Sequence, residues 1–365
     1  MNHEFYMARA IQLARKGLYT TEPNPNVGCV LVRDNEFIAE GFHARAGEGH
    51  AEVRALQVAG ERARGSTAYV TLEPCSHIGR TPPCADALIQ AGVAEVVVAM
   101  EDPNPLVAGR GLQRLREAGM RVLTGVLQAE AEALNPGFVK RMKTGLPWLR
   151  VKLAASLDGR TAMASGESVW ITGDAARRDV QLLRARAGCV LTGSGTVRTD
   201  NPSLNVRLSA AELGIEGDVR QPLRAIVDSR GETSPDAKLY SLPGPVRLYT
   251  RTATAMSRRG DTNVVMPGEG RLDLRAVLTD LAKQGINEVH VEAGAGLAGA
   301  LVTAGLVDEI VVYLAPHLMG EAGLPMFQLP GLHTMQDRYP LKLENVRQIG
   351  EDLRLTLRPC LTINT

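Results

Sequence analysis

Four side chains in two separated stretches restrict this chain most: His50-Ala51-Glu52, and further along Pro74-Cys75 followed by Cys84. An imidazole, a carboxylate and two thiols can act together only if the fold carries both stretches to one point. Catalytic zinc takes three protein ligands and keeps a fourth position for water, whose pKa the metal lowers toward neutrality. His50, Cys75 and Cys84 supply such a set. Glu52 lies too near His50 in sequence to serve comfortably as a fourth ligand and suits a proton shuttle. An H-x-E stretch followed by P-C-x-x-C is the signature of zinc-dependent nucleobase deaminases.

The local sequence agrees. Ala51 to Leu56 has helix-forming composition, which puts His50 and Glu52 on a first helical turn. Pro82-Pro83 ahead of Cys84 marks a second helix start, because proline suits the first helical position. A thiol at a helix N-terminus ionises more readily, as ligation requires. The thiols are separated by Ser76 to Pro83 rather than by a residue pair, and this longer loop carries His77 and Arg80 within reach of a substrate's distal part. Two other readings fit the same residues: a closed structural zinc site with His77 as fourth ligand, or a Cys75–Cys84 disulfide. The remaining cysteines, Cys29, Cys189 and Cys360, are expected to be buried apolar residues. Five cysteines behind a start, Met1-Asn2-His3-Glu4, unlike a signal peptide favour a reduced, cytoplasmic setting.

A chain of 365 residues exceeds one ordinary core and implies two domains. A net charge of +1 and 4% aromatic residues argue against an extended nucleic-acid surface, and no apolar run is long enough for a bilayer. In the first half, periodicity predicts a helix from Glu4 to Lys16 closed by Gly17, strands at Val27–Val32 and Phe37–Glu40 about a turn at Asp34-Asn35, and strands at Ala68–Leu72 and Glu95–Met100. Strands alternating with helices imply a layered α/β sandwich with ligands at strand ends. The charged stretch from Lys140, ending in Gly145-Leu146-Pro147, reads as a boundary.

Beyond it, strands are predicted at Trp148–Ala154, Cys189–Thr192, Leu223–Asp228, Val246–Thr250, Glu288–Glu292 and Val307–Leu314, with helices at Asp174–Ala187 and Leu272–Gln284. Ser209 to Arg220 reads as a polar loop. Gly294-Ala295-Gly296-Leu297-Ala298-Gly299 follows a strand and opens a helix, where glycines let a backbone approach a phosphate; a glycine-rich helix packed tightly on a sheet would look the same. Arg184 and Arg207 are equally readable as phosphate ligands or as solvated charges, and Trp170 as a pocket wall or a cap on the core.

Longer strings decide among families. Asn24-Pro25-Asn26-Val27-Gly28, HAEVRAL from His50, TLEPCSHIGRTPPC from Thr71, DPNPLVAGRG from Asp102 and SLDGRTAMASGESVWITG from Ser156 resemble the bacterial bifunctional riboflavin-biosynthesis deaminase–reductases over nearly the whole chain. The long loop between the thiols is normal in that family. The resemblance implies a cytidine-deaminase-like α/β/α sandwich over residues 1–145 and a dihydrofolate-reductase-like α/β domain over 146–365. It implies zinc-dependent deamination of 2,5-diamino-6-(5-phosphoribosylamino)pyrimidin-4(3H)-one, then NADPH-dependent reduction of the ribosyl group to ribityl. By motif, His50, Cys75 and Cys84 would bind one zinc ion, Glu52 would move protons, Asn24 and His43 would hold the pyrimidine, and Arg80 would sit near its phosphate.

The same likeness puts Ala154, Trp170, Thr196, Asp200 and Ser229 along the NADPH site, with Gly294, Ala295, Gly296, Leu297, Ala298, Gly299 and Ala300 around its phosphates. Ser168, Arg184, Leu204, Arg207 and Glu292 would meet the ribose-phosphate substrate. The family also implies a homodimer through the reductase domains, a small-molecule substrate and neither nucleic-acid nor membrane partners. The competing reading is a zinc nucleoside or tRNA deaminase whose second half is a binding module without redox activity.

Overall fold

The computed structural model describes residues 2–76, 83–105, 107–254 and 260–360. By internal contacts the chain divides into two units, Met1–Leu146 with Ala210–Gly217, and Pro147–Ser209 with Asp218–Thr365. The segment expected as a polar loop thus contains a short helix, Ala210–Leu213, and clusters with the first unit rather than with its sequence neighbours.

In the first unit a five-stranded sheet runs β2-β1-β3-β4-β5, from β1 (Gly28–Arg33), β2 (Glu36–Phe42), β3 (Thr67–Val70), β4 (Glu95–Val98) and β5 (Arg121–Thr124). β1 is antiparallel to β2 and β3, whereas β3, β4 and β5 are parallel. Asp34 and Asn35 both take positive φ, 54° and 66°, as the tight turn between β1 and β2 requires. Helices α1 (His3–Ala14), α2 (Ala51–Ala59), α3 (Cys84–Gln90), α4 (Arg110–Glu117), α5 (Gln128–Leu134) and α6 (Pro136–Thr144) complete the unit. Val96, Val97 and Val98 are fully buried, so β4 is covered on both faces, each valine contributing about 1.5–3 kcal/mol.

Close helix–sheet approach relies on small residues. A Cβ on Gly41 would lie 2.4 Å from the Ala51 carbonyl oxygen, and one on Gly28 would lie 2.0 Å from that of Ala10. The charged stretch expected as a boundary is mostly the end of α6. Only Gly145, left-handed at φ 70°, and the two residues after it separate that helix from the next strand.

In the second unit the strands are β6 (Trp148–Ser156), β7 (Arg160–Ala162), β8 (Cys189–Gly193), β9 (Leu223–Val227), β10 (Val246–Thr250), β11 (Thr262–Val265), β12 (Glu288–Glu292), β13 (Glu309–Ala315), β14 (Leu324–Pro325), β15 (Leu341–Ile349) and β16 (Asp352–Pro359). Nine of them form one sheet, β11-β10-β9-β8-β12-β6-β13-β16-β15, parallel as far as β13 and antiparallel beyond it. β14 and β7 pair separately. Its helices are α7 (Asp174–Arg186), α8 (Ser194–Asp200), α10 (Lys238–Ser241), α11 (Leu274–Lys283) and α12 (Ala295–Thr303), while α9 (Ala210–Leu213) follows α8 in sequence but belongs to the first unit. Alternation along β12 puts Glu288, His290 and Glu292 on one face, and Glu288 meets the buried Arg150 of β6 at 3.1 Å.

Candidate active sites

At the end of β3 the backbone turns through Pro74-Cys75, and two helix starts converge on it. His50 is the N-cap of α2 in extended backbone, and Pro83 is the N-cap of α3, which makes Cys84 the first helical residue. Proline therefore precedes this helix instead of occupying its first position. His50 Nδ1 lies 3.3 Å from Cys84 Sγ and 3.7 Å from Cys75 Sγ, and the Cys84 backbone N–H donates to Cys75 Sγ at 3.3 Å. Tetrahedral zinc holds thiolate and imidazole donor atoms about 3.5 to 3.8 Å apart, so this cluster fits the ion. Both cysteines are free thiols, which excludes the disulfide.

Glu52, 3% exposed, is pushed up to about 7 by burial, against the opposing pull of His50. It hydrogen-bonds the Cys84 thiol. The hydrogen bond between the two thiols holds Cys75 low, with His50 adding to the effect, and raises Cys84. A buried acid poised near neutrality beside a thiol–imidazole cluster has a place in proton transfer and none in packing alone.

The turn is braced by Glu73, 3% exposed. Its Oε2 accepts the backbone N–H of Asp102 (3.1 Å) and Gly109 (3.0 Å), and its Oε1 those of Gly111 (2.8 Å) and Leu112 (3.3 Å). A Cβ on Gly111 would sit 2.0 Å from the Pro74 carbonyl oxygen. Gly111 of the Asp102–Gly111 string therefore serves close packing against the metal-cluster turn, whereas Gly109 takes left-handed backbone at φ 79°.

Across the cluster, Asn24 Nδ2 lies 3.0 Å from His43 Nε2, and the His43 and His50 rings meet edge to face at 5.3 Å. Asn24 is carried on a loop pinned by reciprocal hydrogen bonds between buried Asn26 and Asn135. The Asn26 backbone N–H donates to Asn135 Oδ1 at 2.7 Å, and Asn135 Nδ2 donates to the Asn26 carbonyl at 2.9 Å.

In the second unit, Arg184 on α7 forms a two-pronged pair with Glu292 at the end of β12, at 2.5 and 2.9 Å, and donates to the Asn205 carbonyl at 3.0 Å. Burial alone would raise Glu292, but the charge and hydrogen bonds of Arg184 hold it well below its ordinary value. Arg184 is 8% exposed, so it is no solvated surface charge. Arg207 is exposed with no ion-pair partner among the described residues; burial and the nearby Arg184 lower its pKa. Lys152 faces Glu292 in the β6–β12 register, and burial pulls its ammonium down.

The glycine motif divides. A Cβ on Gly299 would lie 2.0 Å from the Gln328 carbonyl oxygen, so that glycine serves packing. Gly294, the N-cap of α12, has nothing within 4 Å of such a Cβ, and neither has Gly195 at the start of α8. Thr196 Oγ1 links these two helix starts by accepting the Gly294 N–H at 3.3 Å.

Residues 147–355 match the model of the RibD C-terminal domain, and residues 1–100 that of the cytidine and deoxycytidylate deaminase zinc-binding region. The riboflavin biosynthesis protein RibD of Escherichia coli K12 is 53% identical, over 98% of this chain and 99% of its own length. The chain belongs to the RibD family. Among solved structures, RibD of Acinetobacter baumannii is 47% identical with a TM-score of 0.90, covering 98% of this chain and 99% of its own. A deaminase/reductase from Thermotoga maritima, named for diaminohydroxyphosphoribosylaminopyrimidine and 5-amino-6-(5-phosphoribosylamino)uracil, is 34% identical with a TM-score of 0.88 over the same shares.

RibD membership makes this chain a two-domain deaminase–reductase of riboflavin biosynthesis, with a cytidine-deaminase-like zinc-binding domain first and the RibD reductase domain second. Of the residues expected to act in deamination, the structure gathers His50, Glu52, Cys75, Cys84, His43 and Asn24. Arg80 and His77 lie outside the described residues. Leu204 has a buried side chain, 2% exposed, on left-handed backbone at φ 52°, so any substrate contact there falls to its main chain. Trp170 is 71% exposed with the Arg177 guanidinium 4.4 Å over its ring, and does not cap the core. Cys29 and Cys189 are buried as expected; Cys360 is exposed, because it lies past the end of β16.

The sequence reading passed over Glu73 and Lys152. A glutamate directly after the buried Val70–Leu72 stretch, and a lysine within a buried strand, were the available signals. No helix among the described residues is long and apolar enough to cross a membrane.

Proposed function

We propose that residues 1–145 deaminate 2,5-diamino-6-(5-phosphoribosylamino)pyrimidin-4(3H)-one to 5-amino-6-(5-phosphoribosylamino)uracil, and that residues 146–365 reduce its ribosyl group to ribityl with NADPH. The observation that carries the first step is the buried Glu52 carboxyl, pushed up to about 7, against a cluster of His50, Cys75 and Cys84 spaced for one zinc ion. Zinc held there supplies Lewis-acid activation of water. Glu52 accepts one proton as the water oxygen bonds to the amino-bearing ring carbon and delivers it to the ring nitrogen; it then carries the remaining hydroxyl proton of the adduct to the amino group, whose C–N bond breaks to release ammonia and leave the ring carbonyl. Near neutrality its carboxyl gives and takes a proton with little driving-force penalty. Asn24 meets the pyrimidine, and Arg80 its phosphate.

For the second step, Gly294 to Ala300 at the start of α12, with Thr196, cradle the cofactor phosphates. Open space at Gly294 and Gly195 supports this, since backbone N–H groups at a helix start favour anions. Ala154, Trp170, Asp200 and Ser229 line the rest of the NADPH site. Ser168, Arg184, Leu204, Arg207 and Glu292 receive the phosphorylated substrate, with Arg207 offering an exposed guanidinium that has no ion-pair partner among the described residues. The protein's task there is to align the nicotinamide with C1 of the sugar.

The decisive experiment measures zinc content beside ammonia release from the diaminopyrimidine, cytidine and tRNA, and NADPH or NADH oxidation by the deaminated product. The reading requires one zinc per chain, ammonia from the aminopyrimidine alone, and NADPH oxidation only with the deaminated compound. Ammonia from cytidine or tRNA instead, or no NADPH oxidation, overturns it. An Arg207→Ala variant with an unchanged KM for the phosphorylated substrate removes the phosphate from that position.

The enzyme is proposed as a cytoplasmic homodimer joined through its reductase domains. The outermost strand β15 leaves Leu341, Leu343 and Val346 40%, 54% and 49% exposed, an apolar edge of the kind a second copy covers. Sedimentation of Val346→Lys should give monomer, and an unchanged dimer places the seam elsewhere.

A further inference from the structure

His43 is buried, 2% exposed, and both of its ring nitrogens are engaged inside the protein. Nδ1 faces the Gly49 carbonyl oxygen at 3.3 Å, and Nε2 faces the Asn24 side-chain amide at 3.0 Å. A carbonyl oxygen can only accept, so the ring proton is on Nδ1. The other ring nitrogen faces the Asn24 amide nitrogen, which can only donate, so Nε2 accepts and the imidazole is neutral. Neutral imidazole protonated at Nδ1 carries a lone pair on Nε2, and Asn24 turns its NH2 group to it. The donor order is thus forced from Gly49 outward: N–H to carbonyl, then amide N–H to ring nitrogen. What remains of Asn24 is its carbonyl, Oδ1, which has no protein partner among the described residues.

The geometry around the pair is fixed on both sides. The Asn24 backbone N–H donates to the Thr21 carbonyl at 2.7 Å, and the His43 N–H to that of Val27 at 2.9 Å. The Asn26–Asn135 bonds pin the same loop. An asparagine on a braced loop, half-buried and bonded to a His43 ring that itself meets the His50 ring, offers a pre-aimed acceptor at low entropic cost.

We propose that His43 is a positioning residue for deamination: it locks the Asn24 amide so that Oδ1 accepts from an N–H edge of the aminopyrimidine, and His43 itself does not touch the substrate. The proposal rests on the deaminase reading above and replaces the expectation that His43 and Asn24 each hold the ring. It also states what the site selects: a heterocycle presenting a donor, an exocyclic amino or ring N–H group, to Asn24. A ring offering only an acceptor at that edge would face Oδ1 lone pair to lone pair.

A double-mutant cycle on the full-length, zinc-loaded protein tests this, using ammonia release from the diaminopyrimidine. Zinc content and reduction of the deaminated product serve as folding controls. Wild-type protein that releases no ammonia sinks the deaminase reading itself, a result distinct from any outcome among the variants. With active wild type, Asn24→Ala and His43→Phe should each lower kcat/KM about 100-fold. The double variant should fall no further, because both changes remove one contact. Losses that multiply to about 10⁴-fold show that His43 meets the substrate on its own account and overturn the proposal. So does a His43→Phe protein within about threefold of wild type. His43→Gln, which keeps a donor toward Gly49 and an acceptor toward Asn24, should recover most of the activity. Should His43→Phe lose product reduction as well, Asn24→Asp carries the test, since a carboxylate cannot donate to Nε2. It should lose as much as Asn24→Ala, and wild-type rates in Asn24→Asp would refute the lock.

Discussion

The two halves prepare their chemistry in opposite ways. In the first, every group at the metal cluster is aimed by the fold. Glu73 ties the turn with four backbone N–H groups, the helix starts present His50 and Cys84, and Asn26–Asn135 clamps the loop that carries Asn24. In the second, the charges satisfy one another: Arg184 is spent on Glu292, while Gly294 and Gly195 border open space. A small ion needs only a few convergent atoms, so a preset cluster suffices. The ligands proposed for the second site are larger and need room, and a buried arginine and glutamate with no ligand between them are stable only as a pair.

That contrast can be broken, and the largest effect tests its independence of parts. Stripping zinc with a chelator should abolish ammonia release and leave NADPH oxidation by the deaminated product intact; loss of both activities would mean that the metal also holds the second unit. Next, Glu52→Gln should cost deamination about 10⁴-fold at full zinc occupancy. A small loss would show that some other group moves the protons.

In the reductase half the largest response should be in stability. Arg184→Ala leaves Glu292 buried without its partner and should destabilise that unit by about 3–5 kcal/mol in thermal unfolding. Gly299→Ala should cost about 1–3 kcal/mol by overpacking against Gln328. Gly294→Ala should leave stability alone and raise only the KM for NADPH. Equal effects from the two glycines would erase the division drawn within that motif.

The smallest effect concerns pH. Glu292 sits well below its ordinary 4.5 in the folded protein, so its contribution is complete above that value and is lost as pH falls toward the folded value. Unfolding followed from about pH 5 to pH 3 should show this slope, and Arg184→Ala should flatten it.

The metal cluster was legible because its chemistry is written in short spacings: His50 and Glu52 two apart, each thiol at a turn marked by proline. The strands β10 and β12 matched their sequence bounds, Val246–Thr250 and Glu288–Glu292, since apolar runs bounded by polar turns allow little else. What escaped was long-range. Nothing near Arg184 announces Glu292, which lies 108 residues away, and nothing near Asn26 announces Asn135. The β15–β16 hairpin was passed over because β15 is exposed along most of its length and lacks an apolar run. The glycine motif showed the limit most clearly. Packing and ligand approach demand the same residue, and only the neighbouring Gln328 backbone tells them apart.

Asn135 has a practical consequence for dissecting the enzyme. The zinc-binding region matched by family ends at residue 100, and a fragment cut there keeps His50, Glu52, Cys75 and Cys84. It discards the partner of the Asn26 backbone, along with Ala131 and Phe138 from the apolar core. Such a fragment would keep the metal cluster and lose the clamp on the Asn24 loop, so a fragment meant to test the proposed deamination should extend through α6.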